Sequence, residues 1–566
     1  MKKPTFAPSS FMRKLTANFL FLLFSALIFS CKKTTQKDEV NIADPPTIDS
    51  TFHALQFDST TLNLFFQTHE LLSFHKIDIL NFYKNRNYKF AWFNENGMLE
   101  QGSYFMNLLN HFDEEGLKDS IVYVSENQKL FSLVTDPGYF FRGADSITAQ
   151  LDMLLTSQFF VYAQKVWSGI SEQQTKELNW YIKRKTIPFA SILDSILTGK
   201  GSSFTANEPV YKQYNLLKQN LKKYKTISKE LSSWDSLKLP TGVKFYKEGD
   251  SAEIIGEIQN RLILFGDLSE KSNPGLFDSA TAVAVKKLQK RFGLKQDGAA
   301  GNNFFDAINT HPDSLLRKIV LNMERCRWVP YDLKGEYITV NIPEYKMHIY
   351  DNDSLVWDMN VIVGKSSTST TIFNDYLEYI IFSPYWEVPN SIVSKEIVPA
   401  VKKNISYLTK NRFEVVNTKY EVLDPTTIDW QKYSGSNFPY FIRQKPGADN
   451  ALGWVKFIFP NSYSIYFHDT DSRSLFSQTQ RSLSHGCIRV AEPQRFAEYL
   501  LREDSIAWPK EKIDSVMHSG KPTKVLLKEK IPVFIAYFTA WVDDTGDLNF
   551  RKDIYGHDAK LEETLR

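Results

Sequence analysis

Ser484-His485-Gly486-Cys487-Ile488-Arg489 is the stretch from which the organisation of this 566-residue chain can be worked out. A histidine, His468, lies 19 positions before Cys487 in the segment Ile465-Tyr466-Phe467-His468-Asp469-Thr470. A thiol with the ordinary pKa of about 8.5 is mostly protonated at neutral pH and needs a base or a cation nearby. We therefore predict that Cys487 is a nucleophile, and that His468 takes its proton and later returns it to a leaving amine.

Five neighbouring residues are predicted to contact the substrate or the oxyanion that forms during attack. The glycine at position 486 lets the backbone approach a carbonyl closely. The amide of Cys487, with a neighbouring amide, can stabilise the oxyanion. The positive charge at position 489 suits a substrate carboxylate or holds the loop. The five residues are Ser484, His485, Gly486, Arg489 and Tyr466.

Two structural alternatives exist for this cysteine and histidine. A Ser-His-Gly-Cys run can occur by chance, and a Cys-His pair can be half of a structural zinc site. Zinc takes about four ligands and the sequence offers no second cysteine pair, so we expect neither a metal nor a cofactor. His348 lies in a strand pattern and is interpreted as an ordinary residue, and Cys326 as a packed thiol.

The segments around this stretch have the alternating pattern of β-strands. Apolar and polar residues alternate over 337–342, and residues 347–350 and 357–363 flank the Asn352-Asp353 turn as in a hairpin. Residues 533–541 predict a further strand. The C-terminal part is therefore expected to be rich in β-structure.

A compact helical unit is predicted upstream, over residues 250–310. An apolar stripe from Ile254 to Leu262 indicates one helix. Asp278 is the predicted N-cap of a second helix, with Gly293 near its end.

Two more stretches are predicted to be helical. Residues 314–328 form a connecting helix with Leu315, Ile319 and Met323 on one face. Residues 62–239 are mostly helical, and their aromatic residues at helical spacing are interpreted as core.

The N-terminus has the pattern of an exported protein. Basic residues within the first fourteen positions precede an apolar run over 19–29 that ends at Ser30-Cys31. This run is shorter than the roughly 20 apolar residues that cross a bilayer. Residues 27–31 resemble a loose bacterial lipobox, with Cys31 as the lipid-attachment residue, so we expect a periplasm-facing lipoprotein of the cell envelope, anchored to a membrane. An uncleaved signal anchor with a chance thiol is the alternative.

Composition limits the other classes of function. The net charge of +3 offers no concentrated basic face, so no nucleic-acid partner is expected. The three cysteines, Cys31, Cys326 and Cys487, do not support a disulfide framework. A chain of this length is too long for one core and should form several domains.

The block from His468 to Val490 resembles the signature of the L,D-transpeptidase (YkuD-type) catalytic domain. In that family a histidine, a spacer and a Ser/Thr-His-Gly-Cys run mark the site, and here 15 residues separate His468 from Ser484. The usual glycine after the histidine is Asp469 here, a departure shared by the larger YcbB-like branch. Residues 383–389, 444–453 and 531–550 resemble other blocks of that branch, and 250–310 resembles a small three-helix peptidoglycan-binding domain.

This resemblance implies a reaction and its partners. Cys487 would attack the carbonyl of the third residue of a tetrapeptide stem, a meso-diaminopimelate, and expel the terminal D-alanine. The amine of another stem would resolve the thioester to a 3→3 cross-link, with His468 as base, His485 and Gly486 lining the site and Arg489 closing the motif. Peptidoglycan stem peptides and glycan strands are the implied partners, and carbapenems the implied inhibitors.

The predicted fold class is α+β multidomain: a helical scaffold, a small three-helix peptidoglycan-binding domain and a β-rich catalytic domain with a lid insertion. The predicted boundaries are signal peptide 1–30, linker 31–60, scaffold 61–245, peptidoglycan-binding unit 250–312, connecting helix 313–335, catalytic domain 336–530 with its lid at about 391–441, and C-terminal strands and tail 531–566.

Three other functions stay open at this point. Water as acceptor would make the same site an L,D-carboxypeptidase. A lipid-tethered peptidoglycan anchor without catalysis is disfavoured by the joint presence of His468, Cys487 and Arg489. A cysteine peptidase acting on protein is disfavoured by the peptidoglycan-binding resemblance.

Overall fold

The structure, a computed structural model, describes residues 56–117, 121–139, 141, 145–199, 204, 208–231, 233–271, 273–433 and 437–565. The predicted signal peptide, Cys31 and the linker up to residue 55 lie outside these ranges. No helix within them is long and apolar enough to cross a membrane.

The N-terminal region is helical, as predicted. Its helices are α1 Ser59–Thr68, α2 Lys76–Asn85, α3 Glu100–Asn110, α4 Val124–Val134, α5 Ser146–Ala163, α6 Glu172–Glu177, α7 Phe189–Thr198 and α8 Gln213–Glu230, and its short strands are β1 Phe93–Asn94, β2 Gly97–Met98 and β3 Trp180–Tyr181. Helix α5 starts at a capping box made by Asp145 and Thr148 and is buried on almost every side. It is therefore the central helix of this region.

The compact unit over 250–310 also forms as predicted. It contains β4 Phe245–Tyr246, α9 Glu253–Phe265, α10 Ser279–Arg291, β5 Ala300–Gly301 and α11 Asn302–Ile308. The Asp278 side chain accepts from the Thr281 amide at 2.8 Å, so the predicted N-cap is confirmed. Gly293 follows α10 with φ of +66°, a conformation that favours glycine.

The predicted connecting helix, α12 Pro312–Cys326, is a buried element of the core. Its last turn carries two charges that are both enclosed: Arg327 Nη1 lies 2.6 Å from a carboxylate oxygen of Glu324, and both side chains are at most 2% exposed. The other carboxylate oxygen accepts from the Ile170 amide at 2.8 Å. Helix α12 therefore ties the N-terminal helices to the C-terminal half.

The C-terminal half is built mainly from strands. They are β6 Glu336–Asn341, β7 Lys346–Asp351, β8 Ser354–Gly364, β9 Ile372–Phe382, β10 Trp386–Glu387, β11 Phe413–Val416, β12 Val422–Leu423, β13 Phe441–Gln444, β14 Val455–Ile458, β15 Phe467–His468, β16 Ser482–Ser484, β17 Ile488–Val490, β18 Thr523–Ala536, β19 Ala540–Val542 and β20 Leu548–Phe550. The helices of this half are α13 Asn390–Ile392, α14 Val398–Lys403, α15 Ser406–Lys410, α16 Pro493–Leu500, α17 Lys510–Met517 and α18 His557–Thr564.

Eight of these strands close into a barrel. Their order is β14-β15-β17-β8-β7-β6-β18-β9, and β9 pairs with β14 to complete the ring. The predicted hairpin is confirmed as β7–β8, with Asn352 and Asp353 at φ of +46° and +64° in its turn. Because the ring is closed, most barrel strands have no free edge.

Two features of the barrel differ from the predicted boundaries. Strand β18 runs from Thr523 to Ala536 without ending at the predicted boundary between residues 530 and 531. Strand β3, within the predicted scaffold, pairs in parallel with β9 of the barrel. The pairing of β3 with β9 connects residues far apart in sequence, which local patterns do not report.

The predicted lid is a subdomain with its own core. Its four-stranded sheet has the order β10-β13-β11-β12, and a helical segment from α13 to α14 packs on it. The helix expected over 392–401 is present, but the sheet was not predicted from this polar segment. The side-chain amide of the buried Asn450 donates to the carbonyls of Pro384, Gln444 and Lys445, which joins the two chain crossings at the neck of the lid.

Candidate active site

Strand register places the predicted base beside the strand that follows the predicted nucleophile. Strand β15 lies between β14 and β17, and His468 is the register partner of Lys456 on one side and of Arg489 on the other. Neighbouring strands lie about 4.8 Å apart, so these three residues form a row across the sheet. Cys487 lies in the bend directly before β17, where the charges of Lys456 and Arg489 both act on its thiol.

His468 is held as a neutral base. Its ring Nδ1 lies 2.5 Å from the carbonyl oxygen of Asp469, which can only accept, so Nδ1 carries the proton and Nε2 has a free lone pair. Burial, with the nearby charges of Arg489 and Lys456, lowers the pKa of His468 to about 3. The imidazole is therefore neutral at pH 7 and able to accept a proton.

Cys487 is half-buried, and its thiol is mostly protonated in the free protein. Burial raises the pKa of Cys487, against the hydrogen bonds from Tyr466 and the charges of Lys456 and Arg489, which lower it. Sγ donates to the carbonyl of Ser464 at 3.5 Å. A protonated thiol beside a neutral imidazole suits general-base activation better than a preformed ion pair.

The position after the base has a structural reason to be an aspartate. The Asp469 carboxylate accepts from the Trp454 amide at 2.9 Å and from Arg473 at 3.0 Å. The Asp469 carboxylate has room because residue 453 is a glycine. A Cβ added to Gly453 would lie 2.3 Å from a carboxylate oxygen. Asp469 thereby fixes the segment whose carbonyl holds His468.

Two of the predicted substrate contacts form hydrogen bonds that hold the catalytic loop. Ser484 is 2% exposed, donates to the Cys487 carbonyl at 2.6 Å and accepts from the Gly486 amide at 3.1 Å. Gly486 has φ of +120°, and its carbonyl accepts from Thr370 at 2.7 Å. The Gly486 amide is thus occupied, and the Cys487 amide, for which no acceptor lies within the described residues, is the available oxyanion donor.

The other three predicted contacts are all at least partly exposed. His485 is exposed, and its Nε2 lies 3.4 Å from Glu396 on the helical segment of the lid. Arg489 donates through Nη1 to Thr470 at 3.3 Å, while its buried Nε has no acceptor. Burial and the neighbouring Cys487 hold the pKa of Tyr466 well above its ordinary value, so its hydroxyl stays protonated.

Comparison with known families decides what this site belongs to. Residues 335–525 match the YkuD family, described as "L,D-transpeptidase catalytic domain", residues 78–221 match a "Scaffold domain", and residues 251–308 match a "Putative peptidoglycan binding domain". Residues 335–525 thus have the sequence pattern of an L,D-transpeptidase catalytic domain. The family resemblance and the fold class predicted from the sequence are therefore confirmed.

A curated relative is named for the same activity as the matching family. A Haemophilus influenzae protein named "Putative L,D-transpeptidase" is 35% identical over 248 residues, which cover 44% of this chain and 49% of the relative. The chain thus matches about half the length of this relative.

Solved structures with distant similarity include two crystal structures of L,D-transpeptidases. The one from Xylanimonas cellulosilytica is 13% identical, with 53% of this chain and 100% of that chain covered and a TM-score of 0.17. The one from Stackebrandtia nassauensis is 14% identical, with 52% and 97% covered and a TM-score of 0.21. At TM-scores this low, these alignments add nothing to the family assignment.

Lys456 belongs to the candidate site and was missed by sequence reasoning. It is a lysine in the four-residue strand β14, twelve positions before His468. Its place in the row follows only from the antiparallel register of β14 and β15. The sole sequence signal is a charged residue between the buried Val455 and Phe457.

A cavity of about 840 Å³ lies elsewhere, where the barrel faces the peptidoglycan-binding unit. Its lining includes Phe292, Glu344, His348 and Arg551 but none of the residues of the candidate active site. In this cavity the Nε2 atom of His348 forms a hydrogen bond with the carboxylate of Glu344 at 3.0 Å. Nowhere in the described ranges do three or more His, Cys, Asp or Glu side chains converge as metal ligands.

Proposed function

We propose that this protein is an L,D-transpeptidase that cross-links peptidoglycan stem peptides through a thioester on Cys487. The observation that carries the proposal is the row of Lys456, His468 and Arg489 beside Cys487, within a domain of the L,D-transpeptidase family. The peptidoglycan-binding family match at 251–308 supports cell-wall substrate.

The acylation step uses groups already in position. The thiol leaves the Ser464 carbonyl and gives its proton to Nε2 of His468 as Sγ bonds to the donor carbonyl carbon. The Cys487 amide stabilises the oxyanion, which on the family's pattern forms on the meso-diaminopimelate carbonyl. The C–N bond then breaks, the D-alanine nitrogen takes the proton from His468, and a thioester stays on Cys487.

Deacylation repeats these roles with a new nucleophile. The side-chain amine of a second stem attacks the thioester carbon and loses a proton to His468, and the sulfur leaves and regains that proton. The product is a 3→3 cross-link. Water in place of the amine gives a tripeptide, and the enzyme is then an L,D-carboxypeptidase.

The test is incubation of residues 32–566 with disaccharide-tetrapeptides, read by mass spectrometry beside a Cys487→Ala control. A cross-linked dimer that lacks one D-alanine, absent in the control, supports transpeptidation. Tripeptide alone selects the carboxypeptidase and keeps the thiol mechanism. No product from a folded protein that also fails to react with a carbapenem favours the non-catalytic anchor.

Carbapenem acylation is a second consequence of the same mechanism. The thiol attacks the strained amide carbonyl of a carbapenem. The ring opens, so no leaving group departs from the adduct. We expect one adduct on the intact protein and none on Cys487→Ala.

We also propose that the protein is exported and anchored by a lipid on Cys31. The support is the basic N-terminus, the apolar run and the lipobox-like residues 27–31. Metabolic labelling with palmitate in a bacterial host tests it: incorporation that Cys31→Ser abolishes supports the anchor, and equal labelling of both proteins rejects it.

A further inference from the structure

Lys456 stands beside the catalytic base without a role in the steps above. Its side chain is half-buried on β14, directly opposite His468. Its Nζ lies 5.7 Å from the centre of the Tyr466 ring, and Tyr466 is hydrogen-bonded to Cys487. The ammonium is therefore inside the reaction site.

This ammonium faces an aromatic ring but forms no ion pair within the described residues. Within the described part of the chain, Lys456 has neither a hydrogen-bond acceptor nor an ion-pair partner, and Glu387 acts on it only at longer range. At the neck of the lid, by contrast, Lys445 Nζ lies 3.0 Å from Glu414. A partly buried charge without a partner is costly, and an anion that enters the cleft removes this cost.

The other end of the row has an unsatisfied donor as well. The buried Nε of Arg489 has no acceptor, and this guanidinium forms no ion pair with any described carboxylate. Two cations thus flank His468, and neither forms an ion pair within the described residues, while Asp471 acts on Arg489 at longer range. A site with this charge pattern is suited to a substrate that brings its own negative charge.

The order of groups across the sheet indicates which anion binds Lys456. Cys487 and Arg489 lie on the β17 side of His468, and Lys456 lies on the β14 side. In the donor, the acyl carbonyl comes first, the leaving nitrogen second and the terminal carboxylate third, one carbon beyond that nitrogen. With the carbonyl at the thiol and the nitrogen at the base, the carboxylate falls on the side of Lys456.

We propose that Lys456 binds the terminal carboxylate of the residue that the donor stem loses. This inference rests on the proposed function and deepens it, because it explains why a single C-terminal residue is removed. Bound carboxylate also neutralises one of the two charges that act on His468, so the base becomes stronger when the correct donor is present.

The test measures binding, so it does not depend on turnover. The full chain carrying Cys487→Ala, in detergent, is titrated with a tetrapeptide stem and with the same peptide as its C-terminal amide. We expect the free acid to bind about tenfold more tightly, the effect of one charge-assisted hydrogen bond. Adding Lys456→Met should reduce this ratio to about one, and Lys456→Arg should keep most of it.

Lys524 provides the matched control. It is an exposed lysine on β18, and like Lys456 it is a register partner of Ile381 in β9, so it carries the same charge on the same face two strands away. Lys524→Met should leave the ratio unchanged. Equal binding of acid and amide, or a ratio that survives Lys456→Met with the fold intact, overturns the proposal.

A second readout separates this inference from the proposed function. In the protein that retains Cys487, alkylation by anionic iodoacetate relative to neutral iodoacetamide should fall several-fold in Lys456→Met and recover in Lys456→Arg. An unchanged rate ratio contradicts an anion site at Lys456. If both readouts hold but stem peptides are not turned over, the carboxylate site stands and the transpeptidase proposal fails.

Discussion

The two described thiols, Cys326 on α12 and Cys487 before β17, have similar neighbours and different chemistry. Burial raises the pKa of both, and each has two cations close to it. At Cys326 these cations are Arg325 and Arg327, which lie 2.6 Å from Asp558 and Glu324 respectively. At Cys487 they are Lys456 and Arg489, for which the described residues provide no ion pair.

The difference shows what separates a structural thiol from a reactive one. At Cys326 the positive charge is used in ion pairs that hold α12 in the core, and the sulfur is fully buried. At Cys487 the positive charge is left for a ligand, the sulfur is only half-buried, and a neutral histidine lies on the neighbouring strand. Cations near a cysteine are therefore insufficient; they must also lack protein partners.

Separate replacement of each cysteine by alanine should give the largest difference in activity and stability. Cys487→Ala removes the nucleophile, so turnover and carbapenem acylation should fall by at least about 10⁴-fold with little change in stability. Cys326→Ala should do the reverse, with full activity and a loss of about 1 kcal/mol in the free energy of unfolding. Mass spectrometry of products and urea denaturation measure the two effects. Activity loss in a folded Cys326→Ala protein would contradict the comparison.

Removal of the base should give the next largest effect. His468→Gln keeps a donor for the Asp469 carbonyl but cannot accept the thiol proton, so acylation should slow by roughly 10²- to 10⁴-fold. His518 is the matched control: its Nδ1 also lies close to a backbone carbonyl, that of Asp514 at 2.8 Å, but it is exposed. Stopped-flow acylation rates should separate His468→Gln from an unaffected His518→Gln. A change of less than tenfold for His468→Gln would mean that another group is the base.

The ion pairs can be tested through stability. Glu324→Gln removes the ion-pair partner of the fully buried Arg327 and should cost about 3 kcal/mol in the free energy of unfolding. Lys456→Met removes a charge that has no protein partner and should change it by less than about 0.5 kcal/mol. Urea midpoints of the two variants at one pH provide the comparison. Equal destabilisation would show that Lys456 has a structural partner after all.

The smallest effect concerns the pH dependence of alkylation. Because burial raises the pKa of Cys487, the thiolate is scarce at neutral pH, and its alkylation rate should increase with pH to a midpoint above the ordinary value of about 8.5. Lys456→Met removes a charge that favours the thiolate and should move this midpoint further up. Cys326 is fully buried and should stay unreactive at every pH at which the protein is folded. Iodoacetamide rates between pH 6 and 10 test this, and a midpoint below 8 would contradict it.

Sequence reasoning reached the elements whose signals are local. The β7–β8 hairpin follows from alternation around Asn352-Asp353, and the α10 cap follows from Asp278. The candidate pair of Cys487 and His468 follows from residue chemistry and family resemblance. The register that aligns Lys456 with His468 has no local signal, because it depends on which of many short strands become neighbours.

The lid shows the same limit. Strand β10 has two residues, and it pairs with β13 more than fifty positions later, so neither alternation nor propensity indicates the sheet. The hydrogen bond of Ser484 within its own loop was missed for a related reason. A serine that bonds to its loop and a serine that contacts a ligand cannot be distinguished in the sequence.

The pairing that closes the barrel also determines how the lid is attached. Phe382 and Val455 are register partners, and the Ser383 amide donates to the Trp454 carbonyl at 2.8 Å, so residues 383–454 leave and re-enter the barrel at one point. This attachment would allow one insert to be replaced by another in evolution without a change in the barrel strands. A different insert needs only two adjacent strand ends as its graft points, and substrate preference can diversify between lineages while the strands that carry the thiol and the imidazole are inherited unchanged.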